Sequence, residues 1–290
     1  MSAKKHKSKL KRKNSIAGAA FVSPWIAGFL VFTLYPLING VVMSLNNVTI
    51  KPEGIIYTWA GDEFYDYALN VSTTFKLDLG STAMMIGCST PVVLVFSLII
   101  AVLLNQHFPG RSFFRTVFFM PVIIMSGPVI SSLLTGHTVD FTDEGSQIYI
   151  FLSGLPSVFS KPCLFVLDNL VLILWFSGVQ ILIFLAGLQK ISPSLYEAAD
   201  IDGASSWEKF WKITLPHIAP LALVCAVYTV VDISNYSGNA VNNDIADNLF
   251  NTSMMYSLSA AMSWIYFGVV LLILLAVYLV FMLLGRKGKS

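Results

Sequence analysis

Four carboxylates and two lysines crowd one short stretch of an otherwise apolar chain. Glu197, Asp200, Asp202, Glu208, Lys209 and Lys212 all lie between Tyr196 and Pro216, with greasy segments on either side. A compact charged element held between two membrane-crossing segments suits contact with something soluble. Glu197 offers a carboxylate to an arginine of a partner. The small side chains of Ala198 and Ala199 let a partner surface approach closely. Asp202-Gly203 is a turn signal, because glycine accepts positive φ freely. The chemistry expected of Tyr196, Glu197, Ala198, Ala199, Asp202, Gly203 and Trp207 is therefore docking.

A second set of polar residues lies inside apolar runs: Trp175, Gln180, Tyr228, Asp232 and Asn235. Polar groups at membrane depth are expensive and usually face a cavity or a partner helix. A sugar needs hydrogen-bonding side chains and an aromatic face to stack on. These residues are of the right types, and Gln180 with Asp232 is the pair expected to line a translocation path. Covalent chemistry has no candidates. His6, His107, His137 and His217 fall in loops or at segment edges, and Cys88, Cys163 and Cys225 read as small hydrophobes rather than a disulfide or metal set. The tail Gly285–Ser290 lacks phosphate-loop spacing and context. No catalytic residue, metal site or cofactor is expected on this chain, and it is not read as an enzyme.

The elements that must position these groups are membrane helices. Charged residues make up 12% of the 290 and hydrophobic ones 56%, whereas soluble domains carry about 25% charge. A crossing helix needs about 20 mostly apolar residues, and six stretches qualify: Phe21 to Leu45, Thr82 to Leu104, Thr116 to Leu134, Leu164 to Leu188, Ile218 to Tyr236, and Met262 to Leu284. The first is too long for a cleaved leader and reads as a retained span. Pro24, Pro36, Pro91, Pro121 and Pro128 kink their helices, as suits a bundle around a cavity. All but Lys51, Lys76 and Lys161 of the 18 Lys and Arg fall on one side. The positive-inside rule then makes both termini and the Glu197 loop cytoplasmic. The expected organisation is a basic head over 1–15, a six-helix domain over 16–285 that includes the loop 190–216, and a short cytoplasmic tail over 286–290.

Within the loop, Ser194-x-x-Glu197 and Ser205-x-x-Glu208 both fit capping boxes, so two short helices are expected. Trp207, Phe210 and Trp211 share one face of the second, and Glu208 pairs with Lys212 one turn on.

The run Glu197-Ala198-Ala199, Gly203 and Leu215-Pro216 resembles the Glu-Ala-Ala (EAA) loop of ABC importer permeases. Phe29–Pro36, Phe108–Pro121 and Leu182–Gln189 also resemble stretches of the type I carbohydrate-uptake permeases of the maltose, glycerol-3-phosphate and multiple-sugar kind. The resemblance implies an all-α membrane protein with six transmembrane helices and a cytoplasmic EAA coupling loop. It implies residence in a bacterial cytoplasmic membrane, and the bilayer, ABC ATPase subunits, a second and different permease, and an extracellular solute-binding protein as partners. ATP and magnesium would sit on the ATPase, the cargo would be a sugar or oligosaccharide, and no nucleic acid is involved. One departure from the resemblance is the outer stretch Asn235–Asp244, which lacks the family's glycine-rich pattern. The alternative is a secondary transporter driven by an ion gradient. It predicts several buried ionisable groups and an internal repeat, neither of which the sequence displays.

Overall fold

In a computed structural model the chain is described over residues 18–52, 54–106, 108–124, 147–154, 156–236, 238–250 and 255–287. The expected basic head 1–15, the end of the tail from 288 and the third expected span beyond Ile124 lie outside the described residues. The helices are α1 (Gly18–Ser44), α2 (Glu63–Asp66), α3 (Thr73–Asn105), α4 (Arg111–Ile124), α5 (Gln147–Ser153), α6 (Ser157–Asp168), α7 (Leu170–Leu188), α8 (Pro193–Ile201), α9 (Ser206–Lys209), α10 (Leu215–Asn235), α11 (Ala240–Phe250) and α12 (Met255–Lys287). Among the described residues, five helical stretches are long and apolar enough to cross a membrane.

Two departures from the sequence expectation have local causes. The fourth span does not run unbroken from Leu164. Asn169 turns its side-chain amide back to the Phe165 carbonyl at 2.9 Å, ending α6 there, and α7 restarts at Leu170. The fold is also not purely helical. Strands β1 (Asn46–Lys51) and β2 (Gly54–Trp59) pair antiparallel, with Val48 opposite Tyr57 and Ile50 opposite Ile55. β-Branched and aromatic residues run consecutively through both strands, Val48-Thr49-Ile50 and Ile55 to Trp59, and Gly54 supplies a φ of 134° at the turn.

The chain divides into two compact units. The first comprises residues up to Thr73 together with Ile245–Ile265. Here the Ser44 hydroxyl meets the Tyr65 hydroxyl at 2.8 Å, and the Val48 amide donates to the Ser257 hydroxyl at 2.9 Å. Helix α1 leaves Phe21, Trp25 and Phe32 uncovered, as a lipid-facing or partner-facing span can.

The second unit comprises Thr74–Asp244 and Tyr266–Ser290. Its core has two layers. One joins Ala101 and Leu104 of α3 to Ile181, Phe184 and Leu188 of α7 and to Ile218 and Cys225 of α10. The other joins Ile86 and Val93 to Ile173 and Phe176 and to Val230 and Ile233. Helices α7 and α10 approach closely at Gly187, where a Cβ would overlap the Leu221 side chain. Gly187→Ala is therefore expected to cost about 1 kcal/mol, because Leu221 must rotate within a packed layer. Thermal midpoints in detergent check this: Leu221→Ala in the same chain should recover most of the loss, and an undiminished loss would deny the close approach.

Candidate functional site

Helix α7 ends at Leu188, and the buried Ile191 seats the following chain on the core layer. Ser192 caps α8 and Pro193 opens it, with its fixed φ suited to a first helical turn. Ser194 therefore lies inside the helix and bonds the Ser192 hydroxyl at 2.7 Å, so the first expected capping box does not form. At the far end, Gly203 adopts a φ of 76°. Its amide donates to the Asp200 carbonyl at 3.1 Å, and the Ala204 amide donates to the Ala199 carbonyl at 2.9 Å. This pair of bonds is a Schellman stop, which requires a residue tolerant of left-handed geometry.

The second box does form. Ser205 accepts from the Glu208 amide at 3.3 Å, and the Glu208 carboxylate accepts from the Ser205 amide at 2.9 Å. Lys212 reaches the same carboxylate at 3.4 Å. The Ser205 amide first, then its hydroxyl and Lys212, hold the Glu208 carboxyl below its ordinary value of 4.5. Trp207, Phe210 and Trp211 pack as one aromatic cluster, with centroids 5.4 to 6.4 Å apart. From Phe210 to Thr214 the helix widens into a π turn and enters α10 without a break.

The outward surface of the loop presents Glu197, Ala198, Asp202, Gly203 and Trp207, as the sequence suggests. It also presents Trp211 and, passed over by sequence reasoning, Ile201, which is 88% exposed. Ala199 is half-buried. Tyr196 differs from expectation, since its hydroxyl points inward to the Thr214 hydroxyl at 2.9 Å.

The intramembrane residues fall into two groups. Gln180 is fully buried and donates to the Thr229 hydroxyl at 2.7 Å, linking α7 to α10. Its carbonyl oxygen and the Trp175 indole nitrogen are buried with no hydrogen-bond partner. Tyr228, Asp232 and Asn235, spaced by four and three residues, occupy a different face of α10 from Thr229. Tyr228 is 40% exposed, Asp232 half-buried and Asn235 exposed. An uncovered carboxylate on a spanning helix faces water or protein rather than lipid. Gln180 and Asp232 thus do not share one surface in this chain.

Sequence reasoning also missed Asn239, which is 3% exposed at the junction of α10 and α11. Its carbonyl oxygen accepts from the Val241 amide at 3.0 Å, starting α11. Its amide nitrogen reaches the Tyr266 hydroxyl at 2.9 Å and the Ser234 carbonyl at 3.3 Å, so it also closes α10. Among the described residues, no cluster of His, Cys, Asp and Glu could hold a metal ion.

No protein-family model matches the chain. Individual proteins do. The chain is 29% identical over 297 residues to the probable ABC transporter permease protein YesP of Bacillus subtilis (strain 168), covering 94% of this chain and 92% of that one. It is 32% identical to the arabinooligosaccharides transport system permease protein AraP of the same organism, over 73% of this chain and 66% of that one. It is 28% identical to the lactose transport system permease protein LacF of Rhizobium radiobacter, over 78% and 75%. A solved bacterial ABC transporter that imports the acidic polysaccharide alginate superposes with a TM-score of 0.63 at 20% identity, over 95% of this chain and 98% of that one. The fold is thus that of a multi-pass membrane transport component, which performs no catalysis of its own. The chain belongs to the permease family of ABC transport systems.

Two loop features give measurable expectations. A Cβ on Gly203 would meet nothing within 4 Å, so any substitution cost is conformational. Gly203→Val should destabilise the loop by about 1–2 kcal/mol, and Gly203→Asn by less. Protease susceptibility between 200 and 206 reads the difference, and equal susceptibility would contradict the Schellman assignment. Because the Glu208 carboxyl is depressed, the capping box is fully formed above its ordinary value of 4.5 and is lost as pH falls through the lower folded value. Amide exchange over 205–209, corrected for intrinsic rates, should rise only on that acid side. In Glu208→Gln the step should be absent.

Proposed function

We propose that this chain is the membrane-spanning permease subunit of an ABC importer that moves a sugar or oligosaccharide inward. The observation that carries the reading is the loop from Pro193 to Thr214. It forms one short helix with a clear stop and a second that runs on into α10, and it exposes a carboxylate, a nearly bare isoleucine and tryptophans between two spans. Such a surface fits a groove on a soluble ATPase, where Glu197 would meet an arginine and Ile201 would fill an apolar pocket. Named relatives carry arabinooligosaccharides and lactose, and a solved structural neighbour is bound to a periplasmic protein holding an alginate pentasaccharide. These support a carbohydrate cargo delivered from outside by a binding protein. The same reading places a second permease beside this one and ATPases, with their ATP and magnesium, on the cytoplasmic side. The six-span, EAA-loop arrangement with both termini cytoplasmic belongs to the same reading.

In this reading ATP binding draws the ATPases together and displaces the docked loop. The spans then rearrange between outward and inward access. Tyr228, Asp232 and Asn235 supply the polar face of α10 along the path, while Gln180 and Trp175 carry unspent hydrogen-bonding capacity one helix away. The ion-gradient alternative gains nothing from the relatives named above, which are permease proteins of an ABC transporter and of sugar transport systems.

Purification from detergent tests the docking. Wild type should bring down a P-loop ATPase and a second permease, and Glu197→Arg should lose the ATPase while staying folded. Solitary wild-type protein that transports on an ion gradient would defeat the reading. For the path, Asp232→Ala with Gln180→Ala should depress uptake of labelled oligosaccharide in vesicles. Unchanged uptake kinetics would remove both residues from it.

A further inference from the structure

Two groups that look like docking surface in the sequence are turned the other way. The Tyr196 hydroxyl meets Thr214, whose side chain is 7% exposed, and the Tyr196 ring packs against the core layer of the second unit. The same Thr214 hydroxyl reaches back to the Lys209 carbonyl at 3.4 Å, across the π turn. Lys209 in turn pairs with Asp200 of α8 at 2.5 Å, and its own side chain is mostly covered. Helix α8 is therefore tied at one point to the foot of α10 and at a second to α9, which runs into α10 without a break.

The backing of the loop is not solid. A cleft of about 270 Å³ lies behind it, lined by Asn105 and Gln106 at the end of α3, Leu188 of α7, and Tyr196, Lys209 and Phe210 of the loop. A push on the exposed face of α8 could be absorbed by collapse into that space. The ties across it prevent this, because both lead to the same span.

We propose that Tyr196 with Thr214, and Asp200 with Lys209, form a two-point clamp that makes the docking loop and the foot of α10 one rigid lever. The proposal rests on the docking reading above and assigns these four residues a positioning role in coupling. Thr214 is the centre of the clamp, since its hydroxyl serves both Tyr196 and the π turn. The ion pair is the weaker tie, because Asp200 is largely exposed and screened by water.

The test uses the whole complex, co-purified with its partner permease and ATPase in lipid nanodiscs. Cys88, Cys163 and Cys225 are replaced by serine, and Asn235→Cys places one reporter thiol at the far end of α10. Its labelling by a membrane-impermeant maleimide is followed with and without magnesium and a non-hydrolysable ATP analogue. Without clamp substitutions, nucleotide should change the labelling rate. In Thr214→Val and Tyr196→Phe that change should be lost, while the ATPase still co-purifies and hydrolyses ATP. In Thr214→Ser, which keeps the hydroxyl, it should persist. A full nucleotide-dependent change in Thr214→Val would overturn the clamp. So would loss of the ATPase from that variant, which would make the hydroxyls docking contacts instead. A parent complex that recovers no ATPase at all would sink the docking reading itself.

Discussion

A backbone amide in hydrocarbon has no water to bond to, so this chain can cross the membrane only as helices and must satisfy its loose ends at their termini. The structure follows from how those ends are closed. Where α6 stops, the Asn169 side chain and backbone amide both donate to the Phe165 carbonyl. Where α8 stops, Gly203 lets the chain fold back on its own carbonyls. Where α10 stops, Asn239 accepts from one helix start and donates to the previous helix end. Of these three, sequence inspection flags Gly203 alone; Asn169 and Asn239 stand only as solutions to this problem.

That double duty decides what could be read from the sequence. The loop from Pro193 to Thr214 was legible because its geometry is set by local residues: the Gly203 stop and the Ser205–Glu208 box each depend on neighbours within five positions. The Ser194 box failed for an equally local reason, since Pro193 draws the helix start two residues earlier. The spans were legible from length and hydropathy, but the Asn169 break and the β1–β2 hairpin were not. Both are shorter than the window needed to see a crossing helix. The hairpin's runs of β-branched and aromatic residues, Val48 to Ile50 and Ile55 to Trp59, were present but hidden by the apolar background.

The intramembrane residues show where sequence reading runs out. Chemical type correctly flagged Gln180 and Asp232 as costly, but only helical phase and packing reveal that they serve different surfaces. Gln180 ties two helices of the same chain together through Thr229, whose hydroxyl also bonds the Cys225 carbonyl. The Tyr228, Asp232 and Asn235 face remains for water, cargo or a second subunit. Tyr196 is a parallel case. Its position in the docking motif suggested contact with a partner, whereas its hydroxyl is spent inside the fold.

Helix α10 emerges as the element on which both ends converge. At its C-terminal end the Ser234 carbonyl accepts from Asn239, Asn242 and Tyr266, which joins the span to α11 and α12. At its N-terminal end Thr214 joins it to the loop of α8 and α9. A helix is stiff along its axis, so a span gripped at both termini carries displacement from one to the other with little loss. The same helix bears the polar face suited to cargo. If the loop docks as proposed, placing the grip and the polar face on one rod removes the need for a relay of side-chain rearrangements between them. A two-state shift of one packed helix against α7 is enough, and the buried, half-satisfied Gln180 sits at the seam where that shift would occur.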